Sequence, residues 1–254
     1  MKNSAIKKAC TVLSVVLGAS SVWASAYRER DEINRHFTLP AKARVDVFAI
    51  SGSVDIMAID GDTAIVRIER TGRSRADLDC NKVVLEQASG TLTMKSETVD
   101  GQGCQIIQVV YRVLLYLPSH VDVSIQGVSG PINIGEIEGA LRISGNSGNI
   151  NLAQPGSGSY IAGNSGPITI KLRKLDAGGL ELNGNSGAIK LYVDEELNVD
   201  VKVRGLSGTV SSELPNVKFA KTGAADYFAR IGSGGPTINV EGSSGSILLS
   251  RYRE

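Results

Sequence analysis

The four-residue motif G-x-S-G recurs six times in the second half of the chain, and this recurrence constrains the fold more than any other feature. Successive copies begin 18 to 21 residues apart, with one longer interval before the last copy. The first and fourth residues of the copies are Gly127 and Gly130, Gly145 and Gly148, Gly163 and Gly166, Gly184 and Gly187, Gly205 and Gly208, and Gly242 and Gly245. A short unit repeated at so regular a spacing is typical of stacked β-repeats.

Large aliphatic residues flank every copy of the motif at the same two offsets. Two residues before the first glycine stand Ile125, Ile143, Ile161, Leu182, Val203 and Val240, and five residues after it stand Ile132, Ile150, Ile168, Ile189, Val210 and Ile247. Polar residues such as Arg142 and Lys190 alternate with these positions. The alternation predicts short β-strands, each with one buried and one solvated face.

The pattern predicts an all-β fold, because apolar residues seldom recur at helical spacing and Gly, Asn and Ser interrupt the chain every dozen residues. We expect a parallel β-solenoid with rungs of 18–21 residues. In such a stack, equal side-chain types at equal offsets would form continuous aliphatic columns along the molecule. An antiparallel β-sandwich of hairpins, with each motif as a tight loop, is the alternative.

The chain divides into four segments on this pattern. Residues 1–26 are the expected signal peptide, and residues 27–43 form a charged lead-in, of which residues 27–35 are expected to be frayed or helical. Residues 44–126 form an N-terminal β region with degenerate repeats around Ser51-Gly52 and Ser89-Gly90. Residues 127–254 form the regular β-repeat region, continuous with the preceding one. Within it, residues 209–230 break the alternation, which predicts an excursion from the stack.

The N-terminus carries the three parts of a secretory signal peptide. Lysines precede an apolar stretch over residues 9–22, and Ala24-Ser25-Ala26 provides a small-residue cleavage site. Cleavage there would leave 24 basic and 26 acidic side chains. With so small a net charge we expect no nucleic-acid partner. The remaining apolar segment, residues 106–117, is too short and polar to span a bilayer, so the mature chain is predicted to have no transmembrane segment.

The glycines and cysteines are the candidate structural residues. Glycine at the first and fourth motif positions predicts backbone with positive φ, or close approach between rungs. The Asn residues at the second position suit left-handed turns, and the Ser residues at the third can bond local backbone groups. In an oxidising compartment Cys80 and Cys104 are a candidate disulfide, and two free buried thiols are the alternative.

No motif of enzyme chemistry emerges from the sequence. G-x-S-G is not a nucleophile elbow, because that motif has its second glycine two residues after the serine and no copy here does. The chain after residue 26 has only two histidines, His36 and His120, both expected in exposed loops. No phosphate-binding loop and no metal-binding Cys/His spacing is present. We therefore predict no catalytic residues, no metal and no cofactor, and a protein that is not an enzyme.

The repeat resembles the bacterial putative-adhesin domain, a β-strand-repeat family of unassigned function. The likeness extends from about Arg44 to Arg253 and is clearest in Gly235-Pro236-Thr237-Ile238-Asn239-Val240 and Ser244-Gly245-Ser246-Ile247-Leu248-Leu249. The resemblance implies an exported, envelope-associated β-solenoid and supplies no catalytic residues.

Three functional hypotheses follow. The first is a non-catalytic cell-envelope protein, adhesin-like or scaffolding, that binds a polysaccharide or protein partner of the envelope or surface through many weak contacts. The second is a β-helix enzyme acting on polysaccharide, and the third is a regulatory partner in envelope-stress signalling. The expected location is the periplasm, with secretion or the cell surface as alternatives.

Overall fold

A computed structural model describes residues 29–40, 42–99, 104, 108–156, 158–194 and 196–252. The predicted signal peptide, residues 1–26, lies outside the described residues. The regular structure of the described residues consists of β-strands apart from one short helix, as the alternating pattern predicts. Its strands form two sheets, here called sheet A and sheet B, of ten and eleven strands.

The N-terminal part contains one helical turn among long strands. Its elements are β1 (Glu29–Thr38), β2 (Arg44–Phe48), β3 (Gly52–Ile59), β4 (Thr63–Gly72), α1 (Arg75–Cys80), β5 (Asn81–Ala88), β6 (Thr91–Thr98), β7 (Val109–Pro118), β8 (Asp122–Gln126) and β9 (Ile132–Ile134). The sequence pattern missed α1. Its signal is local, because Ser74 caps the helix and Asp77 completes a capping box.

The C-terminal part consists of short strands separated by the glycine turns. They are β10 (Leu141–Ser144), β11 (Ile150–Ala153), β12 (Ser159–Ala162), β13 (Ile168–Leu172), β14 (Leu180–Asn183), β15 (Ile189–Val193), β16 (Val199–Arg204), β17 (Val210–Ser212), β18 (Ala220–Lys221), β19 (Tyr227–Ile231), β20 (Thr237–Glu241) and β21 (Ile247–Arg251). Each G-x-S-G turn leads from a strand of sheet B to a strand of sheet A.

Successive central segments stack in parallel and in register, which confirms the predicted β-solenoid and excludes the antiparallel sandwich. In sheet A, Ile150 pairs with Ile132 on one side and Ile168 on the other. In sheet B, Ile143 lies in the same way between Ile125 and Ile161. These side chains are buried between the two sheets and form the expected aliphatic columns.

The order of coils at both ends differs from the order along the chain, whereas a simple solenoid would place each segment directly on its predecessor. In sheet A the strands follow the order β1-β4-β7-β3-β9-β11-β13-β15-β21-β17. In sheet B the order is β18-β19-β16-β20-β14-β12-β10-β8-β2-β6-β5. The first coil, β2 and β3, is therefore inserted beneath β6 and β7, and the last coil, β20 and β21, beneath β16 and β17.

Antiparallel strands cover the outermost coils. At one end β1 pairs with β4, β4 with β7 and β5 with β6, all antiparallel. At the other end β19 lies antiparallel to β16 and to β18, within the predicted excursion of residues 209–230. A solenoid needs such caps because an open end would expose its core and its unpaired strand edges.

Two expectations for the N-terminal region were wrong. The charged lead-in is neither frayed nor helical where it is described, because Glu29–Thr38 pairs along its whole length with β4. Ser89-Gly90 is the turn of the antiparallel hairpin between β5 and β6, rather than a degenerate repeat turn. The degenerate turn at Ser51-Gly52 does occupy a place in the stack, since β3 continues the parallel series through β9.

Candidate functional site

The two glycines of each motif meet different structural demands. The first glycine is left-handed in all six copies, with φ between 60° and 70°. At the fourth position, exemplified by Gly166, a Cβ atom would overlap the carbonyl oxygen of Gly148 in the adjacent rung. The sequence predicted either positive φ or close approach between rungs. Positive φ explains the first glycine, and close approach explains the fourth.

The residues between the glycines divide into one buried and one exposed row. Asn146, Asn164 and Asn185 are buried rather than left-handed, because the preceding glycine already supplies the left-handed residue. The Asn146 amide oxygen accepts a hydrogen bond from the backbone N–H of Val128, 2.9 Å away in the adjacent rung. The motif serines point to solvent, and the Ser147 hydroxyl donates to the Ser129 carbonyl.

The candidate cysteines lie together at the capped N-terminal end. Cys80 is the last residue of α1, and the structure joins it to Cys104 with the two Cα atoms 5.6 Å apart. The bridge connects the helical turn to the segment between β6 and β7. Neither cysteine lines the groove on sheet A described next.

A groove of about 750 Å³ crosses the outer face of sheet A and is the candidate binding site. Its floor follows the row of outward positions that the parallel register aligns. From β3 to β13 this row contains Asp55, Asn133, Asn151 and Thr169. The row therefore presents a carboxylate, two amides and a hydroxyl at the regular strand spacing of about 4.8 Å.

The hollow exists because two neighbouring strands carry small residues at the next outward position. Gly135 lies beside Met57 after β9, and Ala153 ends β11 next to Lys171 of β13. Met57 is 50% exposed on one side, and the Lys171 side chain is exposed on the other. The short side chains between these longer ones leave the groove.

The amide groups of the floor form an ordered chain of hydrogen bonds. Asn151 Nδ2 donates to Asn133 Oδ1 at 2.8 Å, and Asn133 Nδ2 donates to Asp55 Oδ1 at 2.7 Å. Each bond spans one step between parallel strands. This chain holds the Asp55 carboxylate and orients the amides, so the floor is a fixed polar surface.

Positive charge surrounds this floor. Arg112 lies at the β7 end of the groove, and Lys171 lies at the β13 end with its Nζ 5.8 Å from the centre of the Tyr252 ring. Lys190 of β15 pairs with Thr169 and so continues the floor row. None of these three cations forms a salt bridge with a residue in the described part of the chain.

A second hollow of about 520 Å³ continues the groove toward the C-terminal end. Thr169 and Lys171 line both hollows, and Tyr192, Ser250 and Glu213 line only the second. Together they form a lane across the strands from β7 to β17, here called the sheet A lane. Seven strand steps give it a length of about 33 Å.

The groove residues do not converge on a catalytic pair in the sequence, and the repeat itself carries their signal. Asn133, Asn151, Thr169 and Lys190 each stand six residues after the first glycine of their motif. Of the two polar residues named from the alternation, Lys190 lies in this row, whereas Arg142 lies on sheet B, where it aligns with Tyr160 and Glu181. Arg204 and Glu241, also on sheet B, form a salt bridge at 3.3 Å.

The two histidines do not contribute to the groove. His36 lies on β1 rather than in a loop, paired with Ile65, and His120 is exposed in the turn between β7 and β8. Within the described ranges, no group of three or more His, Cys, Asp or Glu residues could hold a metal ion. Among the same residues no helix has the length and apolarity to cross a bilayer.

Several solved structures are similar to this chain. A "putative cell adhesion protein" from Clostridium sporogenes is 12% identical with a TM-score of 0.47, covering 88% of this chain and 100% of its own. A "putative adhesin" from Bacteroides fragilis is 11% identical with a TM-score of 0.46, covering 87% and 97%. A "putative lipid binding protein" from Parabacteroides distasonis is 13% identical with a TM-score of 0.26, covering 88% and 97%.

Comparison with curated proteins finds no match. Comparison with protein families finds a match to one family, and the match extends over nearly the whole chain, from residue 27 to residue 250. Its extent includes both capped ends and every coil between them, and it confirms the resemblance predicted from the repeat. The protein therefore belongs to the Toastrack DUF4097 family.

Proposed function

We propose that the protein is a non-catalytic, adhesin-like or scaffolding module of the bacterial cell envelope that binds an extended partner along the sheet A lane. The continuity of the two hollows over about 33 Å carries this proposal. A lane of this length offers many weak contacts in a row, and a hydrogen-bonded solenoid holds them at fixed spacing. The periplasm is the proposed location, with secretion or the cell surface as alternatives.

The chemistry of the groove favours binding over cleavage. Glycoside hydrolysis requires a pair of carboxyl groups, one on each side of the scissile bond. Asp55 is the one carboxylate among the described residues that line the groove, and its Oδ1 accepts a hydrogen bond from Asn133. The arrangement thus supports recognition of a partner by amides, a hydroxyl and cations.

The binding proposal is tested with two tryptophan variants at equivalent kinds of site. Ala153→Trp fills the groove on sheet A, whereas Ala162→Trp places the same side chain on the outer face of sheet B. Purified wild-type protein should bind envelope fractions of the bacterium that encodes it. We expect Ala153→Trp to lose this binding and Ala162→Trp to keep it. Equal binding by both variants would refute the sheet A lane as the binding site.

Export is tested separately by determining the N-terminus of the protein recovered from fractionated cells. We expect the chain to begin at Tyr27 and to be found outside the cytoplasm, because the proposed cleavage follows Ala26. The Cys80–Cys104 bridge should then be oxidised in the recovered protein, as mass spectrometry without reduction would show. A cytoplasmic chain that still begins at Met1 would contradict the envelope location.

A further inference from the structure

We infer that the ligand of the sheet A lane is an acidic polysaccharide, a linear glycan bearing carboxylates on its sugar units. The inference rests on the proposed function and names the ligand class of the same site. Three observations carry it: the charge around the groove, the chemistry of its floor and the direction in which the lane runs.

The charge of the lane selects an anionic ligand. Arg112, Lys171 and Lys190 have no salt-bridge partner among the described residues. These three cations outnumber the two carboxylates of the lane, Asp55 and Glu213, which accept hydrogen bonds from Asn133 and Ser250. The other charged pair nearby, Arg173 and Glu136, is internally compensated by its own salt bridge. Unpaired cations of this kind attract a polyanion, even though the whole chain is close to neutral.

The spacing of the cations matches a ligand several units long. Arg112 and Lys171 are separated by the strands β3, β9 and β11, so their strands lie four steps, or about 19 Å, apart across the sheet. A single sugar acid or a small anion can contact only one of them. A linear chain that lies along the lane can contact both, and tethering the two contacts through one ligand strengthens binding.

The floor of the lane suits a glycan better than a peptide. The lane runs across the strands, and the backbone groups of those strands are already paired with one another. An extended peptide lying there would have no strand edge to pair with, and its own backbone N–H and C=O groups would need other partners. The hydroxyl groups of a sugar can bond directly to the side-chain amides of Asn133 and Asn151 and the hydroxyl of Thr169.

The experiment measures binding of the purified protein to polygalacturonate and to its fully methyl-esterified form, which keeps the sugar chain but removes its charge. We expect the acid form to bind at least about tenfold more tightly than the ester or than digalacturonate, which is too short to reach both cations. Binding should weaken as the salt concentration rises, because exposed charges are screened.

Charge variants locate the binding site. Lys171→Gln and Arg112→Gln should each weaken polygalacturonate binding about two- to fivefold, the range for exposed ion pairs. Lys202→Gln and Arg142→Gln remove exposed cations from sheet B and should leave the affinity unchanged. Thermal unfolding of all four variants confirms that each is folded. Ala153→Trp should abolish binding by filling the groove.

Different results would overturn different claims. If the ester binds as tightly as the acid, or if the sheet B variants weaken binding as much as the sheet A variants, the acidic-glycan inference is wrong. If polygalacturonate does not bind while envelope fractions still bind wild-type protein and not Ala153→Trp, the inference fails and the proposed function stands. If Ala153→Trp binds envelope fractions normally, the proposed function itself fails.

Discussion

Single residues in this fold are constrained chiefly by the regular spacing of the rungs. At the first position of the motif the backbone is left-handed in every copy, and glycine occupies that position in all six. The turn of the first coil, at residues 49–52, has the same geometry without the glycine. There Ala49 adopts φ 54°, and its side chain is exposed.

Ala49→Gly should therefore stabilise the protein. A left-handed residue with a Cβ is strained by about 1–2 kcal/mol, and glycine relieves that strain while losing about 0.5–1 kcal/mol through backbone entropy. We expect a net gain of up to about 1.5 kcal/mol in the free energy of unfolding, measured by urea denaturation. Ala162→Gly, in an ordinary strand position of β12, should have the opposite sign. A loss of stability for Ala49→Gly would show that the turn is not strained.

The facing of the strands predicts opposite tolerance at adjacent residues. Ile168 is fully buried in the aliphatic column, whereas Thr169 is the next residue and points outward. Ile168→Asp would place an unpaired carboxylate in the core, which costs several kcal/mol, and should unfold the protein. Thr169→Asp should change the free energy of unfolding by less than about 1 kcal/mol. Circular dichroism of the two variants would test this, and similar spectra and melting temperatures would refute the facing.

Ionisation of Tyr111 should make the free energy of unfolding fall as the pH rises in the alkaline range. Burial raises the pKa of the Tyr111 hydroxyl, which donates to Asn81 Oδ1 at 2.6 Å. Because an unfolded tyrosine ionises near pH 10, the unfolded chain loses this proton first as the pH rises. The stabilisation is complete below about pH 10 and is lost as the pH rises through the higher pKa of the folded state.

Urea denaturation at pH 8, 10 and 11 would measure this effect against Tyr111→Phe. At pH 8 the wild type should be more stable by about 1 kcal/mol, the contribution of one hydrogen bond. That advantage should shrink above about pH 10, because Phe has no proton to lose. The comparison also removes the contribution of Lys95, whose pKa is raised by its hydrogen bond to Glu97 in both proteins. A constant difference across this range would contradict the assignment.

At the scale of elements, the ends of the solenoid depend on contacts that the regular repeat does not need. Arg70 of β4 donates to both carboxylate oxygens of Asp31 on β1 and to the carbonyls of Leu78 and Asn81. One side chain thus ties together the lead-in strand, the helical turn and the start of β5. The Cys80 bridge adds a covalent link to the same cluster.

Reduction of this bridge should weaken the capped N-terminal end. Closing a loop of 24 residues stabilises a protein by about 3 kcal/mol on the chain-entropy estimate. Urea denaturation with and without dithiothreitol should therefore show a loss of up to that size for the wild type. The double variant Cys80→Ser and Cys104→Ser should have the free energy of unfolding of the reduced wild type, and dithiothreitol should not change it. A wild type that is equally insensitive would mean that the thiols are free in solution.

At the scale of the whole molecule, the four central coils are interchangeable and the two ends are not. The four central coils, from β8 and β9 to β14 and β15, stack on one another in chain order, whereas the first coil is inserted between two coils that both follow it in the sequence and the last between two that both precede it. A central coil should therefore be removable as a unit. Deletion of the last coil should not be tolerated. Its strands β20 and β21 lie between β14 and β15 on one side and β16 and β17 on the other, so their loss would leave both coils without a neighbour on that side.

Deletion of residues 145–162 tests this modularity. The deletion joins Ser144 to Gly163, so that the next G-x-S-G turn follows β10 in phase and the aliphatic columns continue. We expect a folded, shorter solenoid with somewhat lower stability, seen by circular dichroism and size-exclusion chromatography. Deletion of residues 145–161 is the matched control. Being one residue out of phase, it would reverse the facing of the following strands and should not fold.

The coarse architecture followed from the sequence, because the repeat is a local signal. The spacing of the six motifs and the alternation around them predicted rung length and strand facing and favoured parallel stacking, which the pairing of Ile132, Ile150 and Ile168 confirms. The repeat also contained the floor of the groove, since Asn133 and Asn151 hold the same motif offset. What periodicity could not show was that Gly135 and Ala153 would leave a hollow between longer side chains.

The tertiary structure alone decided how the molecule ends. A periodic pattern states which segments can stack, and any coil of matching phase satisfies it equally well, so the exchange of β20 and β21 with β16 and β17 left no local trace. The same holds for β1, whose alternation is weak and whose strand state comes from pairing with β4. Local patterning thus determined the repeating middle, and the need to cover an open core at each end determined the order of its outer coils.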